Sequence, residues 1–317
     1  MSLHDNSVHA RQAFESHAPV VAHFPEKLTI ESTSICNLTC VMCPHGIGGV
    51  DRPKHMPQEI FDKLRGAMGH ASGAQLNGIG EPLASPALWH ALENDYFDPE
   101  ACITFNTNMT LLNARRLEKL ANSRAGLTLN ISLDAATSST YRRIRGYDFD
   151  KVLANIRLVR TARGEREYPR IMLNMTLMRE NIEEAAKFVE LAKELGADSI
   201  GLWHMNHTPD ADMARYSVDR DGWHFEYSEQ GLWNFPALSN RMLRAAVRRA
   251  EELAMPLYFD TSKNAFFDDD GEPAAAPAEP EPTSAEPAGT ETVKHCPHAW
   301  DSLVVTSDGD VRVCCYS

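Results

Sequence analysis

The residues best suited to chemistry are Cys36, Cys40 and Cys43, in the run Thr33-Ser34-Ile35-Cys36-Asn37-Leu38-Thr39-Cys40-Val41-Met42-Cys43-Pro44. Three thiolates within eight residues form a compact soft-ligand loop of the kind that holds an iron–sulfur cluster. A four-iron cube has four corners, so three cysteines leave one iron for a ligand the protein does not supply. That is the open position of a catalytic metal site. A zinc knuckle or a set of structural thiols is the alternative. Zinc normally takes a fourth Cys or His at finger or ribbon spacing; His45 is near, but paired CxxC units are absent.

The loop must be carried by something regular. Between Lys27 and Tyr258 short β-rich runs alternate with amphipathic helical ones. Strands are predicted at Leu28–Glu31, Ala74–Ile79, Cys102–Asn106, Leu127–Leu133, Ile171–Leu177 and Ser199–His204. Helices are predicted at Pro57–Met68, from about Pro86, and at Leu111–Ala121, Thr137–Ile144, Phe149–Arg163, Asn181–Leu195 and Leu238–Ala254. Pro256–Phe259 reads as an extra strand. Six βα units in strict alternation imply a parallel sheet with right-handed crossovers, and six are too few for a closed eight-fold barrel. Cys102, alone in the third strand, reads as a buried core thiol.

In parallel α/β folds the reactive groups gather where strands end. The second strand ends in Asn77-Gly78-Ile79-Gly80-Glu81-Pro82, the third in Asn106-Thr107-Asn108-Met109. The fourth ends in Ile131-Ser132-Leu133-Asp134, followed by Tyr141-Arg142-Arg143-Ile144-Arg145-Gly146. The fifth carries Asn174 among apolar neighbours, and the sixth ends in Trp203-His204-Met205-Asn206-His207. On the residues alone, each is also readable as turn, cap or surface chemistry.

The CxxxCxxC spacing resembles the signature of the radical S-adenosylmethionine (radical SAM) enzymes. The resemblance implies a partial (β/α)6 barrel of the TIM type. It also implies a [4Fe-4S] cluster whose open iron binds SAM, and cleavage of SAM to a 5′-deoxyadenosyl radical that abstracts a hydrogen atom. Carried onto this chain, it assigns Cys36, Cys40 and Cys43 to the cluster and Gly80 and Glu81 to the SAM amino group. Ser132 and Arg145, with Arg143 as fallback, go to its ribose or carboxylate. Thr107 and Asn108 correspond to a further family turn, with Met109 where glycine is usual. Met42 stands where an aromatic residue often touches adenine, and Asn174 is placed to meet a ribose hydroxyl.

Near the C-terminus, Cys296, Gly309 and Cys314 resemble the opening of a SPASM or twitch extension, which would hold an auxiliary [4Fe-4S] cluster. Leu303–Val313 reads as a hairpin turning at Asp308-Gly309. Cys315, beside it, is a candidate hydrogen or proton donor. The module reads as incomplete, since the family pattern continues with further cysteines.

These readings divide the chain into an N-terminal segment (1–26), a barrel (27–260), a linker (261–291) and a cysteine-containing hairpin module (292–317). The linker is acidic and rich in Pro and Ala. Of the formal charge of −13, −8 lies in Asp268–Glu291 and only −5 elsewhere, so no basic nucleic-acid footprint is present. No run is long and apolar enough to span a membrane, and the first residues lack a signal-peptide core. Seven cysteines bunched in two places fit a reducing, cytoplasmic setting.

About 26 residues precede the first strand, too few for a leader-peptide domain, which favours a small, polar, sugar-like substrate. A peptide or protein substrate is the second reading, and an iron–sulfur electron carrier or scaffold the third. The resemblance implies an electron donor such as flavodoxin or ferredoxin as partner.

Overall fold

The computed structural model describes residues 1–206, 215–259, 266–267 and 296–312. Its strands are β1 (Lys27–Ile30), β2 (Gly73–Gln75), β3 (Cys102–Thr107), β4 (Gly126–Ser132), β5 (Arg170–Leu177), β6 (Ser199–His204), β7 (Ser217–Arg220), β8 (Trp223–Glu226), β9 (Leu257–Phe259), β10 (Ser302–Val305) and β11 (Val311–Arg312). Nine of them form one sheet in the order β11-β10-β1-β2-β3-β4-β5-β6-β9, and β7 with β8 forms a separate hairpin. Every pairing from β10 through β1–β6 to β9 is parallel. The sheet does not close.

Burial explains why the sheet curls as an open barrel rather than lying flat between two helical layers. Along β4 and β5 alternate residues are buried, Leu127, Leu129 and Ile131 on one strand and Ile171, Leu173, Met175 and Leu177 on the next. They pack with Leu88, Leu120, Val152, Ile156 and Phe188 of the surrounding helices. A sheet covered on both faces would read as continuous apolar runs. Here the second face is mostly polar: Thr104 and Asn106 on β3, Thr128, Asn130 and Ser132 on β4, and Asn174 and Thr176 on β5, with Met172 the apolar exception.

Local chemistry places the helices close to expectation. Helix Ser138–Arg145 is capped by the Thr137 hydroxyl and ends at Gly146, whose φ of 70° suits glycine. Asp148 caps Phe149–Arg163. Two expectations are modified. Pro57–Met68 is broken at Leu64 into Gln58–Lys63 and Arg65–Met68, with helix-weakening Gly66 just after the break. Asn181 does not cap the next helix: its amide accepts from Met178 N–H and donates to the Asp134 and Thr176 carbonyls. A 3-10 turn, Ile182–Glu184, therefore precedes helix Ala185–Glu194.

Two of the elements that were not anticipated bear on the site or its flank. A helix over Leu3–Glu15 opens with a Ser2–Asp5 capping box. The β7–β8 hairpin turns at Asp221 (φ 51°) and Gly222 (φ 74°). The anticipated strand near residue 256 is β9, and the hairpin around Gly309 is β10–β11. β10 lies in register beside β1, so the expected C-terminal module adds a strand to the barrel sheet. Among the described residues no helix is long and apolar enough to cross a membrane.

The reading of Cys102 as a core thiol is overturned. It is exposed at the start of β3, because Ile103, Phe105 and Thr107 take the buried face and Cys102 the opposite one.

Candidate active site

Cys36, Cys40 and Cys43 follow β1, and the loop bearing them is held from four sides. Thr33 bridges to His55, and Ser34 N–H donates to the Lys54 carbonyl. Glu81 N–H donates to the Ile35 carbonyl at 2.9 Å, which joins the loop after β2 to the approach to Cys36. Val41 N–H donates to the Ile144 carbonyl at 3.0 Å, joining the cysteine loop to helix Ser138–Arg145. From the hairpin, the Tyr216 hydroxyl donates to the Gly46 carbonyl at 2.8 Å and Arg220 Nη2 to the Thr39 carbonyl at 2.5 Å.

Two glycines permit this closeness. A Cβ on Gly80 would lie 2.3 Å from the Thr33 carbonyl oxygen, and one on Gly46 would lie 2.1 Å from that of Cys40. Both obstacles are backbone, so neither site has room for a side chain.

Glu81 is buried, and three donors meet its carboxylate. Oε1 accepts from Leu83 N–H and the Thr107 hydroxyl, and Oε2 from Asn108 N–H at 2.7 Å. Burial pushes its carboxyl up, with these bonds offsetting part of the effect. A carboxylate has about four acceptor positions, so one on Oε2 remains. Asn108 Nδ2 donates to Asn37 Oδ1 at 3.0 Å and lies 3.9 Å from Cys36 Sγ. Met109 adopts a left-handed φ of 58°, as the glycine usual in the family turn would.

Arg145 meets Asp134 and Cys40 within the chain. Nε donates to Asp134 Oδ2 at 2.6 Å, and Nη2 pairs with the same oxygen. Nη1 lies 3.4 Å from Cys40 Sγ. Asp134 thus takes the Nε–Nη2 edge of the guanidinium, and Nη1 faces the Cys40 sulfur. Burial would lower the guanidinium, but Asp134 and then the Cys40 sulfur outweigh it and hold it above its ordinary value. Burial pushes the Cys40 thiol up to about 11, partly opposed by Arg145. Burial also raises Cys36. Arg143 pairs with Glu180 at 2.5 Å.

Met42 packs beside a second apolar cluster of Val41, Ile144, Met178, Met205, Phe225 and Tyr227. Ser132 ends β4 directly across from Asn174 on β5. Asn174 Oδ1 accepts from Trp203 Nε1 at 2.7 Å. Cys296 is exposed; Cys314, Cys315 and His207 lie outside the described residues.

The donor set suits a cluster better than a lone ion. Among the described residues no three His, Cys, Asp or Glu side chains gather closely enough to hold a single metal. The His45 Nε2, which a zinc reading would recruit, meets the Ser34 carbonyl at 2.7 Å. The thiols instead sit in a glycine-relieved loop with an amide N–H near one sulfur and a guanidinium near another, donors that suit anionic sulfur ligands.

The family profile described as "Radical SAM superfamily" matches residues 30–192, from the end of β1 into the helix before β6. The chain belongs to the radical SAM superfamily. It is 33% identical over 184 residues to the AdoMet-dependent heme synthase of Methanosarcina barkeri, covering 55% of this chain and 48% of that one. It is 30% identical over 192 residues to a probable GTP 3′,8-cyclase of Metallosphaera sedula, covering 56% and 55%. The chain thus spans about half the length of these curated relatives. The fold resembles Streptococcus suis SuiB bound to S-adenosylmethionine, with a TM-score of 0.62 at 15% identity, over 98% of this chain and 64% of that one. It also resembles anSMEcpe with bound AdoMet, with a TM-score of 0.59 at 17% identity, over 92% and 71%. Radical SAM enzymes vary in reaction type, and these relatives differ accordingly.

Asp134, Tyr216 and Arg220 carry contacts at this site that the motif reading assigned to no role. Asp134 was legible as an acid at a strand end, eleven residues before a basic helix end. Asp221-Gly222, between two β-rich runs, was legible as a hairpin turn.

Proposed function

We propose that this radical SAM protein binds a [4Fe-4S] cluster through Cys36, Cys40 and Cys43, with SAM at the open iron. The reading is that it removes a hydrogen atom from a small, polar, sugar-like substrate. One observation supports it most: the thiol loop is buttressed by the end of β3, through Asn108, and by the end of helix Ser138–Arg145, through Arg145, beside a carboxylate with one acceptor position left. When bound, the cluster supplies one electron, delivered by a flavodoxin- or ferredoxin-like donor, to split the SAM sulfonium so that its adenosyl fragment takes the hydrogen.

The residues divide the work. Glu81 Oε2 accepts from the SAM ammonium, while Gly80 lets the cysteine-loop backbone close against the turn that carries Glu81. Ser132 and Asn174, adjacent on neighbouring strands, meet ribose hydroxyls. Met42 offers a polarizable face to adenine. Arg145 balances the charge at the Cys40 ligand and keeps N–H donors for the SAM ribose or carboxylate. Cys296, with Cys314, is assigned to an auxiliary cluster, and Cys315 is kept as a candidate donor.

Anaerobic reconstitution, iron and sulfide counting, and assay for 5′-deoxyadenosine with dithionite and SAM test this reading. Cluster-dependent nucleoside formation supports it; a fully loaded protein that forms none is an electron carrier instead. A second reading, peptide modification, draws on the 27% identity over 179 residues to the mycofactocin maturase of Mycobacterium tuberculosis.

A further inference from the structure

The uncovered face of the sheet carries a row of side-chain amides. The row is Asn77, Asn106 and Asn130: Asn106 and Asn130 are directly paired across β3 and β4, while Asn174, kept for the SAM ribose, borders them on β5 across from Ser132. Asn77 follows two residues beyond Gln75, which pairs with Thr104. Asn130 Nδ2 donates to Asn106 Oδ1 at 3.1 Å. Asn77 Oδ1 and Asn130 Oδ1 are buried acceptors with no hydrogen-bond partner. Such atoms are rare in folded proteins and call for an explanation.

The row is built. A Cβ on Gly201 would fall 2.3 Å from Asn174 Oδ1 and 2.5 Å from Trp203 Nε1, so the Asn174–Trp203 pair occupies the space over that glycine. The carboxylates at the rim are already satisfied. Glu31 accepts from Ile79 N–H, Ser307 N–H and the Ser307 hydroxyl. Asp134 holds Arg145 and accepts from Thr176 N–H.

We propose that this amide row binds the substrate, and that the substrate is an uncharged polyhydroxylated molecule; this rests on the radical SAM reading above and deepens it. A hydroxyl both donates and accepts, so it satisfies an amide oxygen and an amide N–H in turn. A phosphate or carboxylate has no proton to give the two orphaned oxygens. An ammonium finds no free counter-charge among Glu31, Glu81 and Asp134 beyond the single position assigned to SAM. The half-buried Trp203, fixed by Asn174, adds an amphipathic ring suited to the apolar C–H edge of a sugar.

The test is ligand-observed saturation-transfer NMR on the cluster-reconstituted full chain. The probes are methyl glucoside and myo-inositol, with glucuronate and glucosamine as charged counterparts. The two neutral probes are expected to bind more tightly than either charged one. Asn130→Leu should weaken the neutral probes about tenfold, the loss of one or two hydrogen bonds. Asn106→Ser, at an exposed position, provides a second variant with the same expectation should the first not fold. Preference for a charged probe, binding indifferent to these variants, or binding of none of the four overturns the proposal. Assaying 5′-deoxyadenosine in the same samples separates the two readings: nucleoside without polyol binding sinks only the substrate class, and polyol binding without nucleoside sinks only the SAM chemistry.

Discussion

Arg145 touches Asp134 and Cys40 with different nitrogens of one guanidinium, so a buried ion pair and a thiol of the signature loop share a single cation. Removing one member of such a pair strands the other charge. Asp134→Ala should destabilise the metal-free chain by about 3–5 kcal/mol, read as a lowered urea midpoint. Adding Arg145→Met should recover much of that loss. An additive double mutant would show that the two side chains do not interact.

Gly80→Ala and Gly46→Ala set a Cβ against backbone oxygens at 2.3 and 2.1 Å. Each should cost about 1–3 kcal/mol as overpacking and displace the cysteine loop. Iron bound after reconstitution should fall below that of the unaltered protein while far-ultraviolet circular dichroism is retained. Full iron loading in both variants would refute the close approach.

The hairpin strap makes a separate prediction. Tyr216→Phe and Arg220→Ala remove the bonds to Gly46 and Thr39 without touching a cysteine. Amide hydrogen exchange across residues 39–49 should quicken by about fivefold to tenfold, the loss of one or two hydrogen bonds, while β4 and β5 stay protected. Unchanged exchange would show that the hairpin merely rests on the loop.

Thiol labelling of the metal-free chain should follow exposure and proton affinity. Cys102 and Cys296 are exposed and should react first with iodoacetamide. Cys40 is buried with its pKa near 11, so at pH 8 roughly one molecule in a thousand carries the thiolate there. Its labelling should rise about tenfold per pH unit until it levels off near 11, read by peptide mass spectrometry. Rapid, pH-independent modification of Cys40 would contradict the buried site.

The sequence disclosed the repeating frame because alternation of period two and helical caps are local signals. β6 and helix Phe149–Arg163 lie at their expected limits, and the Cys36–Cys43 loop follows β1 as expected. It did not disclose contacts made across the chain. That Arg145 faces Asp134 and Cys40 depends on the Val41–Ile144 backbone bond, which no motif encodes. Cys102 was misread because a strand lining an open barrel buries only one face, and a lone thiol does not announce which. The amide row was present in the sequence as scattered asparagines; only the register of β2, β3 and β4 aligns them.

The pairing of β1 with β10 has a consequence for how the chain is made. Ser307 reaches Glu31 across a sequence separation of 276 residues. A nascent polypeptide releases the cysteine loop from the ribosome long before the strand that flanks its launching point. Closing so distant a contact is slow, so the loop spends most of synthesis with one shoulder bare.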